Sequence, residues 1–125
     1  MIFRNFGTDH FIAVNSELFY KINHLKVKAM TGQKFSPAEA QARLGEIPGW
    51  SLEGSKLRRE FIFADFAEAF GFMSSMALVS EKINHHPEWS NTYKKVLIEL
   101  TTHDSDGITD LDFIWASEAN KAVEK

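Results

Sequence analysis

Three of the five histidines in this chain fall between positions 85 and 103, and no other residues in it are better suited to chemistry. His85 and His86 stand together just before Pro87, and His103 closes a long alternating stretch. Histidine gives and takes protons near neutral pH. A pair converging with a third histidine therefore supplies both an acid and a base without a cofactor. Glu81 lies four residues before His85, so on a helix the two share a face and the carboxylate can orient the imidazole or favour its protonated form. A helix C-terminus also favours a positive imidazolium. Two plainer readings stand beside this one. Adjacent histidines at a helix end also serve as a polar cap, and three histidines can ligate a divalent ion. Adjacent residues project differently from a helix end, however, and a His-x3-His spacing is absent, so the spacing disfavours a metal. Trp89 and Tyr93 read as core or hairpin-packing aromatics. Asp112 reads as an acid at a helix start, and Arg58 and Arg59 with Glu60 read as the solvated side of a strand.

The elements that must hold these residues are legible from local signals. Ser36-Pro37-Ala38-Glu39 is a capping box with proline at the first helical position, predicting a short helix to about Leu44. Ile47-Pro48-Gly49 ends it. Trp50 to Leu52 alternates, Glu53-Gly54-Ser55 reads as a hairpin turn, and Leu57 to Phe63 alternates again with Leu57, Phe61 and Phe63 on one face. Asp65 can cap the next helix, with Glu68 three residues on. Within that helix Phe66, Phe70, Met73 and Ala77 recur at helical spacing, as do Ala69, Met76 and Ile83, giving a wide apolar stripe. Pro87 stops it at or before His86. Tyr93 to Thr102 is predicted as the longest strand, with Val96, Ile98 and Leu100 facing one way and His103 facing the other unless the strand has ended. Asp104 to Gly107 is a turn, and Thr109 with Asp112 forms a second capping box that opens a C-terminal helix. Hairpin-linked strands with helices packed on one face make an α+β two-layer sandwich.

The bulk composition narrows the class further. The chain has 125 residues, 44% hydrophobic and 25% charged, which suits one folded domain. It has no cysteine, which removes disulfide scaffolds, thiolate zinc sites and cysteine nucleophiles, and suits a reducing compartment. A net charge of −3 offers no overall positive field for nucleic acid. No apolar run approaches the ~18 residues of a membrane span, and polar residues interrupt every apolar stretch at the N-terminus, so a cytoplasmic location is expected. Residues 1–29 carry Phe3, Phe6, Phe11 and Phe19 and a charge of +2, leaving −5 for residues 30–125. They are read as an N-terminal extension of unassigned role, either a poorly ordered leader or, from alternating stretches such as Phe11 to Val14, a strand or an arm lying on a partner chain.

Taken together, Glu81-x3-His85-His86-Pro87-x5-Tyr93-x9-His103-x8-Asp112 resembles the signature of the pterin-4a-carbinolamine dehydratases, also known as dimerisation cofactors of a hepatocyte homeodomain factor. His85-His86-Pro87-Glu88-Trp89 is similar to that family's active-site string. Leu57-Arg58-Arg59 with Phe61, Phe63 and Asp65 to Ala69 is similar to its second strand and following helix, and Thr101 to Asp104 with Gly107 to its last strand and turn. The resemblance covers about residues 34–123. It implies a four-stranded antiparallel sheet with helices on one face, assembled as a homodimer or homotetramer. It also implies dehydration of a 4a-hydroxy-tetrahydropterin, the product of aromatic amino-acid hydroxylases, to quinonoid dihydropterin and water. By the same resemblance His85 and His103 are the acid/base pair, His86 binds or polarises the pterin, and Glu81 supports the histidines. Asp112 completes the site and Trp89 walls it. No metal or cofactor is implied, since the pterin is the substrate. The rival expectation is a protein-binding module of the same fold that acts as a transcriptional dimerisation cofactor, although such a module has no need of the histidine set. A metal-dependent hydrolase fits less well, because no carboxylate ligand pair accompanies the histidines.

Overall fold

A computed structural model describes residues 33–124 of the chain. The expectations for residues 1–29 lie outside the described residues. The elements run α1 (Pro37–Arg43), β1 (Ser51–Glu53), β2 (Lys56–Ile62), α2 (Phe66–Ile83), β3 (Glu88–Thr92), β4 (Lys95–Leu100) and α3 (Asp110–Val123). The four strands form one sheet in the order β1-β2-β4-β3, every neighbouring pair antiparallel. This is the expected α+β two-layer architecture.

Most boundaries follow from the capping chemistry. Ser36 and Glu39 exchange side-chain-to-backbone hydrogen bonds of 3.1 and 2.8 Å and start α1 at Pro37. Gly54, at φ 63°, turns β1 into β2. The Asp65 side chain accepts from the Glu68 N–H, while the Glu68 carboxylate reaches one residue further back to the Ala64 N–H, 2.8 Å away. Thr109 and Asp112 form the second capping box and start α3.

Two expectations are corrected. The strand predicted over Tyr93 to Thr102 begins only at Lys95, because Tyr93 takes a left-handed φ of 55° in a two-residue turn. Asn91 closes that turn with bonds to the Tyr93 and Lys95 carbonyls. Before it runs β3, a polar strand whose only large apolar residue is Trp89, too sparse a pattern to signal a strand. In α2, the inward face carries Ala69, Phe72, Met76, Ser80 and Ile83, whereas Phe66 and Phe70 are 50% and 55% exposed. Two apolar stripes run side by side on this helix. Phe72 settles which one packs, because it sits 5.0 Å from both Phe61 and Phe63 on the sheet.

The core lies between the helices and one sheet face. Leu57, Phe61, Val96, Ile98 and Leu100 supply the sheet side, and register pairs Leu57 with Leu100 and Phe61 with Val96. Fully buried Trp115 of α3 stands at the centre, edge-on to Trp50 and Trp89 at 6.4 and 6.0 Å. Its indole N–H donates to Ser80 Oγ, which in turn donates to the Met76 carbonyl, so the one polar atom of the ring is satisfied. The opposite sheet face is a charged lattice in which Lys56 meets Glu88 and Glu99, Arg58 meets Glu53 and Glu99, and Lys95 meets Glu60. Arg58 and Glu60 are thus solvated as expected. Arg59 lies on the other face, since alternation turns it toward the helices. There it lies 4.2 Å over Phe61 and donates to Asn120 and to the Pro48 carbonyl, and burial lowers its pKa.

Candidate active site

The site begins where α2 ends. Asn84 adopts a left-handed φ of 54°, and the His85 N–H turns back to the Ser80 carbonyl at 3.0 Å. This reversal takes His85 and His86 out of helical phase. His85 swings inward and is only 7% exposed, whereas His86 stays in solvent. The expected Glu81–His85 pairing is corrected as a result: Glu81 Oε2 lies 2.7 Å from Nε2 of His86. Both partners are well exposed, so the pair orients the ring more than it stabilises the fold.

His85 takes its carboxylate from α3 instead. Its Nε2 is 2.6 Å from Oδ1 of Asp112, a side chain with no exposed surface. The other carboxylate oxygen accepts from Thr102 Oγ1 at 2.8 Å and from the Thr109 backbone N–H at 2.9 Å. Asp112 is therefore both the helix-start acid and a member of the site. Its cap contact fixes one oxygen and leaves the other for the imidazole. A carboxylate can only accept, so the His85 proton shared in this bond sits on Nε2. Among the described residues Nδ1 makes no hydrogen bond and no buried side-chain nitrogen lacks a partner, so Nδ1 is the ring atom that reaches solvent.

His103 sits in the 3-10 turn that follows β4. Thr102 continues the inward parity of Leu100 and points to Asp112, so His103 points away from the core and is well exposed. The strand has ended at Leu100, but the parity persists through the bridge between Thr102 and Gly107. Nε2 of His103 lies 3.2 Å from Glu88 Oε2, while Glu88 Oε1 holds the Lys56 ammonium at 2.7 Å. Hydrogen bonding to Lys56 keeps the Glu88 carboxyl below the usual carboxylate range, with a smaller push from His103. Glu88 was not singled out in the sequence, although its place in the His85 to Trp89 string was visible. Trp89 is half-buried with its ring on Trp115, so its outer part alone can face a ligand.

The arrangement gives three histidines, each with its own carboxylate: His85 with Asp112, His86 with Glu81 and His103 with Glu88. Thr102, bonded to Asp112 and adjacent to His103, ties the first pair to the third. Among the described residues no group of three or more acidic or histidine side chains is placed to hold a metal ion. Concavities of about 600 Å³ beside β2 and about 410 Å³ beside α1 are lined by none of the six predicted site residues. His86 and His103 are exposed, whereas His85 is buried.

Known proteins resemble this chain over the residues that the structure describes. Residues 33–122 match the family model described as pterin 4 alpha carbinolamine dehydratase. A relative from Prochlorococcus marinus strain MIT 9515, provisionally named a pterin-4-alpha-carbinolamine dehydratase, is 53% identical over 87 residues, which cover 70% of this chain and 91% of the relative. One from Rhizobium johnstonii with the same provisional name is 45% identical over 98 residues, covering 77% and 97%. A crystal structure from Brucella melitensis, titled a transcriptional coactivator/pterin dehydratase, superposes with a TM-score of 0.71 at 38% identity, covering 74% of this chain and all of that one.

Proposed function

The chain belongs to the pterin 4 alpha carbinolamine dehydratase family, and we propose that it removes water from a 4a-hydroxy-tetrahydropterin, returning the pterin of aromatic amino-acid hydroxylases to use. The C4a–O bond breaks as the leaving oxygen receives a proton. The N5 proton is withdrawn, and a C4a–N5 double bond forms. Neutral His85 presents a lone pair on Nδ1 while Asp112 holds the proton on Nε2, and this pair is the observation that carries the reading. His85 then accepts the N5 proton, and His103, paired with Glu88, donates to the leaving oxygen. His86, exposed and steadied by Glu81, contacts the pterin, and Trp89 borders it. A protein-binding module has no need of the full histidine set.

The reaction is proposed to need no metal or cofactor, in the reducing cytoplasm that a cysteine-free chain suits. Purified protein should accelerate 4a-hydroxy-tetrahydropterin dehydration and keep its full rate after exhaustive chelation. Activity lost to a chelator and restored by zinc would shift the assignment to a metalloenzyme. No helix among the described residues is long and apolar enough to cross a membrane.

We also assign the chain to a homodimer or homotetramer. Three-residue β1 pairs only with Lys56 to Arg58, leaving the outer edge of β2 from Arg59 to Ile62 without a strand among the described residues. Phe66, Phe70 and Leu78 stand exposed along α2. Unpaired edges and apolar patches of this kind are what symmetric contacts cover. Residues 1–29 are proposed to be dispensable for catalysis. A chain beginning at Met30 should match the full chain in turnover and, by light scattering, in oligomeric state. Loss of turnover without loss of assembly would place a functional residue in the extension.

A further inference from the structure

The donor count around Asp112 fixes the direction of a buried hydrogen-bond chain that ends on His85. Thr102 has a single hydroxyl proton, and its Oγ1 is 2.8 Å from Asp112 Oδ2 and 2.8 Å from Thr109 Oγ1. The carboxylate cannot donate, so the Thr102 proton goes to Asp112. The Thr109 hydroxyl must then donate to Thr102, and it accepts from the Leu111 N–H at 3.3 Å. The chain therefore runs from the first turn of α3 through Thr109 and Thr102 to Asp112, whose other oxygen accepts from Nε2 of His85. Every member is buried. Bonds aligned head to tail in a low-dielectric interior polarise one another, and no water competes for the carboxylate.

We propose that Thr102 is a positioning residue for the dehydration, its hydroxyl orienting Asp112 so that His85 is held in the Nε2–H tautomer with Nδ1 free for the pterin. The role rests on the acid/base reading of His85, but the tautomer can be measured without substrate, so failure of one is distinguishable from failure of the other. Thr102→Val keeps the branched shape and removes the donor, and Thr102→Ser restores it. In the wild-type full-length protein, 15N ring shifts of neutral His85 should show Nε2 protonated and Nδ1 bare. Thr102→Val should give a mixture of tautomers and a kcat lower by about 10-fold, the scale of one lost hydrogen bond to a charged group, with KM unchanged. Thr102→Ser should recover both. A wild-type ring protonated on Nδ1 would overturn the proposal whatever the variants do. So would a Thr102→Val protein that melts lower yet keeps the wild-type tautomer and kcat, because a merely structural threonine behaves that way.

Discussion

Replacing His85 with alanine should lower the dehydration rate by roughly 10²–10⁴-fold, the contribution of one positioned proton-transfer group. His103→Ala should cost a similar factor, but the two variants should differ in stability. His103 is exposed and its bond to Glu88 is screened, so its loss should leave the melting temperature nearly unchanged. His85 is buried, and its removal strips the donor from Oδ1 of a carboxylate that water cannot reach. That should destabilise the fold by about 1–3 kcal/mol. Rates must therefore be taken well below each variant's own transition. If His85 and His103 act at separate atoms, as base and acid, the double variant should lose approximately the product of the single factors. A double variant scarcely worse than either single would mean that they serve one relay. Near-wild-type rates in both single variants would remove the catalytic assignment and favour the protein-binding reading.

Trp115→Ala should be the most damaging substitution in the core, at about 3–5 kcal/mol, as for other large aromatic truncations. The side chain is fully buried and stands between Trp50 of the β1 approach and Trp89 of β3, while its indole N–H anchors α3 to Ser80 of α2. The change would open a cavity beneath the strand that carries Glu88 and leave the Ser80 hydroxyl without its donor. Urea unfolding at fixed protein concentration measures it, the concentration being held because assembly adds to apparent stability. A loss below about 1 kcal/mol would mean that α2 and α3 close around the vacancy and that the tryptophan cluster does not hold the layers together.

The sequence by itself determined the order of the elements other than β3 and three helix starts, because those rest on interactions within a few residues. Ser36 with Glu39, Asp65 with Glu68 and Thr109 with Asp112 each satisfy orphan N–H groups locally, and the structure keeps all three starts. The spacing of Glu81, His85, His86, His103 and Asp112 carried the resemblance to the family. Contacts between elements decided the rest. Two apolar stripes on α2 were equally good in one dimension, and packing of Phe72 on the sheet chose between them. The sparse strand β3 exists because β4 pairs along it from Glu88 to Thr92, not because its residues favour extension. Pairing Glu81 with His85 was sound helical arithmetic, but Asn84 broke the helix one residue too early for it. Asp112 became the partner of His85 instead, 27 residues away, once Thr102 and the cap of α3 had fixed its carboxylate. Spacing along a chain identifies groups that can move protons. Which carboxylate faces which imidazole is set by how the layers pack, because a short side chain reaches only what the backbone of another element brings within about 3 Å.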